Sequence, residues 1–164
     1  MKIMVFLHGT ATMHKNAAGL SREERVQQVI DGDASLHEFG SYIPVDHAVD
    51  KLRAWEDRGA SVVYLSSHTE PSRVELDRLV LAEHGFPRGP VCFRNDGNSY
   101  PEVVETVVPD ILVEDDCESI GGELEMVYPQ LSLATKRRVK SVVVREFGGL
   151  DLLPDDPALL RFHQ

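Results

Sequence analysis

Cysteine is scarce in this chain. Cys92 and Cys117 are the two among 164 residues. They do not make a disulfide framework and read as reduced thiols of a cytosolic protein. Long apolar runs are missing too. Leu65 is followed at once by Ser66, Ser67 and His68, and Val144 by Arg145, so no run is long enough to cross a bilayer. The opening run has Lys2 alone before it, is broken by His8 and Gly9, and has no small-residue cleavage site. It is expected to be a first strand rather than a signal peptide, which places the protein in the cytoplasm. Basic residues are in the minority, 17 Lys and Arg against 27 Asp and Glu, for a net charge of −10. A free-standing nucleic-acid binder needs a basic face. The densest basic run, Lys136, Arg137, Arg138 and Lys140, is short and also fits the polar face of a helix end. Neither a nucleic acid nor a membrane is expected as a partner.

What is present fits one soluble domain over residues 1–164, with 42% hydrophobic and 27% charged residues. Five short apolar runs stand out: 3–7, 62–65, 91–93, 111–113 and 142–144. They are continuous rather than alternating and rich in β-branched residues, as strands covered on both faces are. Helical patterns lie between them. Val45, Ala48, Leu52 and Trp55 form an apolar stripe that Gly59 stops. A second helix begins near Thr69, with Pro71 in its first turn, and stops at Gly85. A third fits Pro101 to Val108. This order predicts an α/β fold: a three-layer, Rossmann-like parallel sheet of about five strands, helices on both faces and no large cap domain.

The long segment 11–44 holds one expected helix, with Ser21 and Glu24 at capping-box spacing before Val26 and Val29. Asp31 to Pro44 reads as a loop or flap, of the kind that is often functional. The tail after Phe147 is expected to pack over the sheet as short turns.

Ligands of an open parallel sheet bind beyond the carboxyl ends of the strands. The residues there are His8, Gly9 and Thr10 after the first run, then Ser66, Ser67 and His68. Arg94 and Asn95 follow the third, and Glu114, Asp115 and Asp116 the fourth. Gly9, Thr10, Ser66, Ser67 and Arg94 form a candidate phosphate-binding set. Asp115 and Asp116 are candidate ligands for Mg²⁺, which favours carboxylate oxygens and water.

The order of these elements resembles the haloacid dehalogenase-like superfamily, over roughly residues 1–120. That family has a first motif of an apolar strand then DxDGT, and a second strand ending in Ser or Thr. A Lys or Arg is its third motif, and a strand ending in an acidic pair its fourth. Residues 5–10, Val-Phe-Leu-His-Gly-Thr, look like the first motif, 62–66 like the second and 111–116 like the fourth. Arg94 stands for the third. Two positions depart from the pattern. Phe6 lies where the family has its nucleophilic Asp, and His8 where it has its general acid/base Asp. The resemblance then implies a phosphatase-like scaffold without aspartyl-phosphate chemistry, because phenylalanine neither attacks phosphorus nor binds a metal. The loss also weakens the implied Mg²⁺ site.

Each candidate has a structural reading beside its functional one. Phe6 continues a buried strand. His8 is an altered acid/base or a hydrogen-bonded loop histidine. Asp115 and Asp116 bind a metal or cap a helix expected over Ser119 to Met126. His8, His14 and His68 with Asp115 make a weaker case for zinc. Cys117 sits among acids and is excluded as a nucleophile.

Three functions stay open. One is a non-catalytic relative that binds a phosphorylated small molecule or a protein partner. Another is a metal-dependent phosphohydrolase, with metal-activated water and His8 as acid/base. The third is a structural or interaction module with a vestigial cleft. The apparent absence of a cap hints, by analogy of fold alone, at large substrates.

Overall fold

The structure is a computed structural model that describes residues 1–163. Its strands are β1 (Lys2–Phe6), β2 (Thr12–Met13), β3 (Ile43–Pro44), β4 (Ser61–Leu65), β5 (Val91–Cys92), β6 (Ile111–Asp115) and β7 (Lys140–Val144). Its helices are α1 (Arg22–Asp31), α2 (Ala48–Asp57), α3 (Pro71–Glu83), α4 (Tyr100–Val107) and the single turn α5 (Leu133–Lys136).

Five strands form one parallel sheet in the order β5-β4-β1-β6-β7. The chain runs outward from β1 through β4 to β5, then returns to the other side of β1 for β6. The order therefore reverses between β1 and β6, and their carboxyl ends flank the crevice such a reversal opens. Pairing aligns Phe6 with Leu65 and Asp115 with Val144, so the strand tips end close to one level.

Alternation along the strands builds two cores. Ile3, Val5, Tyr64 and Val113 pack on one face with Leu52 and Trp55 of α2, Val74 of α3 and the tail residues Leu150 and Leu160. Met4, Val63, Leu65 and Leu112 pack on the other with Val103 and Val104 of α4, Val127 and Leu131. Cover on both faces is why these strands read as unbroken apolar runs. The Trp55 indole N–H donates to the Pro154 carbonyl at 2.9 Å and pins the tail to α2.

The helix signals act as expected at most ends. Ser21 and Glu24 form a reciprocal capping box on α1, and Gly32 closes it in the left-handed conformation. Pro71 sits in the first turn of α3. The helix expected over 119–126 is absent: that stretch is turns and one 3-10 turn, Gly122–Glu125. Gly121, at φ 141°, adopts a backbone no α-helix accommodates, and Gly122 follows at φ 72°. The stretch expected as a loop or flap, Asp31 to Pro44, is more ordered than that, with 3-10 turns at Ala34–His37 and Phe39–Ser41 and strand β3 at its end. Segment 11–44 as a whole carries α1 and three 3-10 turns, and β2 and β3 tie its ends together as an antiparallel pair. Met13, Ala17, Val26, Val45 and Phe147 give it a small core of its own. No helix among the described residues is long and apolar enough to cross a membrane.

Candidate functional site

A cavity of about 320 Å³ opens at the carboxyl ends of the strands. His8, Ser67, Arg94 and Asp115 all line it, so the tips of β1, β4, β5 and β6 meet in one place. Segment 11–44 supplies part of the wall through His14, Val29, Leu36 and Tyr42, and Phe6, Tyr100 and Phe147 add aromatic surface. The Phe6 ring stands edge-on to Tyr100, with centroids 5.4 Å apart. Apolar walls with a few convergent polar groups are what small-ligand sites present.

The expected phosphate-binding residues divide into two groups. Gly9, Ser67 and Arg94 line the cavity. Thr10 and Ser66 are fully buried, and their hydroxyls are committed elsewhere: Thr10 donates to Asp115 Oδ2 at 2.7 Å, and Ser66 to Asp77 Oδ2 at 2.5 Å. Arg94 donates one N–H to the Ser67 carbonyl at 2.9 Å and lies 4.1 Å above the Tyr100 ring. Its Nε is buried with no acceptor in the protein.

His8 is held from both sides. Nδ1 contacts the Ser67 hydroxyl, and Nε2 lies 3.0 Å from Asp77 Oδ1. Behind it His68 stacks edge-on, centroids 4.8 Å apart, with Nε2 3.9 Å from the same Asp77 oxygen. Burial and the neighbouring His8 push the His68 imidazole below its ordinary pKa. His14 takes no part in this group; its Nε2 meets Gln28 Oε1 at 2.7 Å. The four zinc ligands considered from sequence are therefore not one site: His8 and His68 converge on Asp77, not on His14 and Asp115.

Asp77 carries no strand-tip signal. Its trace in the sequence is an acid at i+3 in the apolar stripe Val74, Asp77, Leu81 of α3, where a charge has no place unless it is paired. Glu146 follows β7 as Asp115 ends β6, and the same strand-end rule extends to it.

Asp115, Asp116 and Glu146 form an acidic group in which one oxygen from each lies within 4.8 Å of the others. An oxygen-only set of this kind suits a hard divalent cation. Burial, opposed by the hydrogen bonds they accept, pushes Asp115 and Glu146 above the usual carboxylate range. Their oxygens also do structural work. Asp115 Oδ1 accepts from Cys117 N at 2.9 Å, and Glu146 accepts from the Ser119 backbone and hydroxyl at 2.6 and 2.7 Å. Glu114 also lines the cavity but stands outside this group, and accepts from Val127 N and Tyr128 N at 2.6 and 2.9 Å. Burial and the adjacent acids hold the Cys117 thiol far above its ordinary pKa, which agrees with its exclusion as a nucleophile.

No family model matches the chain, and no curated protein does. Among solved structures it is similar to a chain of a Pnkp1/Rnl/Hen1 complex, with a TM-score of 0.52 and 12% identity. It is also similar to a chain of the Pnkp1/Rnl/Hen1 RNA repair complex, with a TM-score of 0.52 and 13% identity. Each match covers 88% of this chain but only 46% and 43% of the other, so this chain spans less than half of its structural neighbours. At such identity the likeness is one of fold.

Proposed function

We propose that this chain is a haloacid dehalogenase-like module that has lost aspartyl-phosphate catalysis and binds a phosphorylated ligand in the strand-end cavity. The observation that carries the reading is Arg94. Its guanidinium is fixed over Tyr100 with a buried donor, Nε, that no protein acceptor meets. Such a donor costs about 1–3 kcal/mol until an acceptor arrives, and planar guanidinium groups suit phosphate oxygens. Ser67 and the Gly9 backbone share the cavity with it. Phe6 lines the same cavity where the family's attacking carboxylate would stand, so the ligand meets an aromatic edge instead. The nearby acids oppose a bare anion. A Mg²⁺ ion held by Asp115 and Asp116, with Glu146 completing the set, would offset that charge.

The structural neighbours are chains of a Pnkp1/Rnl/Hen1 complex, in one case named an RNA repair complex, which supports a protein partner for this chain. The net charge of −10 weighs against RNA bound without such a partner.

The test is a thermal-shift and calorimetric titration with phosphate esters, including a 5′-phosphorylated oligoribonucleotide, with and without Mg²⁺, beside a turnover assay. Binding without turnover is expected, weakened at least about tenfold by Arg94→Ala. Robust turnover abolished by Asp115→Ala would end this reading.

A second reading rests on the chain Asp77–His8–Ser67, in which a carboxylate orients an imidazole at the cavity. His8 would then move the proton for water activated by a metal on Asp115 and Asp116. His8→Ala and Asp115→Asn would each lower the rate at least about tenfold.

A further inference from the structure

Three elements deliver donor atoms to one point behind the cavity wall. His8 comes from the tip of β1, His68 from the turn after β4, and Asp77 from the buried face of α3. One ring nitrogen of His8, one of His68 and an Asp77 oxygen lie within 4.8 Å of one another, and Nε2 of the two imidazoles stands 3.0 and 3.9 Å from Asp77 Oδ1. His68 is 8% exposed and Asp77 5%. A neutral, unliganded protein leaves this arrangement poorly resolved. His68 Nε2 is buried and makes no hydrogen bond. With a proton it stands 3.9 Å from Asp77 Oδ1, too far to donate; without one it leaves a buried lone pair unmet.

We propose that His8, His68 and Asp77 are a transition-metal site, best matched to Zn²⁺, with a fourth position open to water or a small ligand. Two imidazole nitrogens and one carboxylate oxygen are a zinc-type donor set, whereas Mg²⁺ and Ca²⁺ favour oxygen alone. A tetrahedral ion with bonds of about 2.0 Å separates its ligand atoms by about 3.3 Å. The 3.0 Å and 3.9 Å separations to Asp77 Oδ1 straddle that value, so a small shift of His68 toward Asp77 brings both nitrogen–oxygen edges to it.

The surrounding hydrogen bonds are those a metal site uses to hold its ligands. His8 has Nε2 facing Asp77 and presents Nδ1 to the Ser67 hydroxyl, which orients the ring and can accept the Nδ1 proton when Nε2 binds a metal. Asp77 keeps Oδ1 and accepts from Ser66 through Oδ2 at 2.5 Å. The Ser66 hydroxyl also accepts the His68 backbone N–H at 3.1 Å, seating the third ligand on the same support. The Phe39 ring, 4.4 Å from His68, and the Tyr42 ring, 5.2 Å from His8, enclose the group on the side of segment 11–44. A metal here would join β1, β4 and α3. It would also occupy the nitrogen that the acid/base reading needs free, so the two uses of His8 exclude each other.

The experiment uses the full chain, stripped with a chelator and titrated with Zn²⁺ against a chromophoric competitor, and in parallel with Co²⁺ as a spectroscopic probe. One equivalent of Zn²⁺ and the intense visible bands of a tetrahedral Co²⁺ centre are expected. His68→Ala and Asp77→Asn should each weaken Zn²⁺ at least about tenfold, and Ser67→Ala, which frees His8 Nδ1, about tenfold. Asp115→Ala and Glu146→Gln should leave Zn²⁺ affinity unchanged, which separates this group from the acidic one. If His68→Ala fails to fold, His68→Gln and the Co²⁺ spectrum of the unaltered chain decide. An unaltered chain that retains no Zn²⁺ against the competitor overturns the proposal, as does Zn²⁺ binding lost with Asp115 and kept without His68. No phosphate ligand enters the readout, so this result stands apart from the ligand titration.

Discussion

The Thr10 hydroxyl donates to Asp115 Oδ2 at 2.7 Å, with both side chains buried, and so joins the tips of β1 and β6 across the point where the sheet reverses. With the Cys117 N–H on the other oxygen, Asp115 is a structural anchor as well as a candidate cation ligand. Thr10→Val keeps the shape and removes the donor. The variant should lose about 1–3 kcal/mol in urea unfolding, the cost of a buried acceptor left unmet, and Asp115 should titrate still higher by NMR. Unchanged stability would show that the hydroxyl is dispensable and that the tips are held by backbone alone.

Phe6 tests the proposed loss of aspartyl-phosphate catalysis. The ring lines the cavity with Asp115, and Phe6→Asp places a second carboxylate there. Mg²⁺ affinity should rise at least about tenfold by calorimetry, or about 1.4 kcal/mol. No phosphatase activity should follow, because His8 remains engaged on both ring nitrogens and does not supply the missing acid. An active variant would mean that the rest of the catalytic apparatus is intact and that the loss is a single residue deep.

The sheet was legible because period and composition are local properties. Strands covered on both faces must be apolar throughout, so 3–7, 62–65 and 111–113 declared themselves, and the strand-end rule then named six cavity residues, His8, Gly9, Ser67, Arg94, Glu114 and Asp115. Arg94 was found this way although β5 is only two residues long. What stayed hidden depends on contacts distant in sequence. Ser66 and Thr10 sit at the right tips, but whether a hydroxyl faces ligand or protein is decided by partners 11 and 105 residues away, Asp77 and Asp115. Asp77 itself lies six residues into α3, where strand-end reasoning does not look. The expected helix at 119–126 failed on Gly121 and Gly122, whose backbone freedom outweighed acids placed well for a helix start.

Glu114 makes stability fall as pH rises. Burial, only partly offset by two backbone N–H bonds, lifts its carboxyl from 4.5 to about 7. The folded chain therefore holds a proton that the unfolded chain releases. Its contribution is full below the unfolded value and is lost as pH climbs through the folded one, about 3 kcal/mol between roughly pH 4.5 and 7. Urea unfolding in EDTA, which keeps cations off the neighbouring acids, should show this slope. Glu114→Gln should flatten it while costing stability of its own, since its amide replaces one acceptor for Val127 or Tyr128 with a donor. A slope that persists in the variant would assign it to another group.

Gly9 is the residue on which the cavity floor turns, and Gly19 provides its control. Both have positive φ, 88° and 72°. A Cβ at Gly19 meets nothing within 4 Å, so Gly19→Ala reports the backbone cost alone, about 1–2 kcal/mol. A Cβ at Gly9 would stand 2.9 Å from Asp115 Oδ2 and 3.3 Å from Glu146 Cγ. Gly9→Ala pays the same backbone cost and must also push two buried acids off their partners, Thr10 and Ser119. It should therefore lose at least about 1 kcal/mol more than Gly19→Ala, the scale of one broken buried hydrogen bond. It should also weaken Mg²⁺ at Asp115 and Glu146, the two acids it displaces. Equal losses from the two glycine variants would mean that the acids move aside freely, and that the cavity floor is softer than its hydrogen bonds imply.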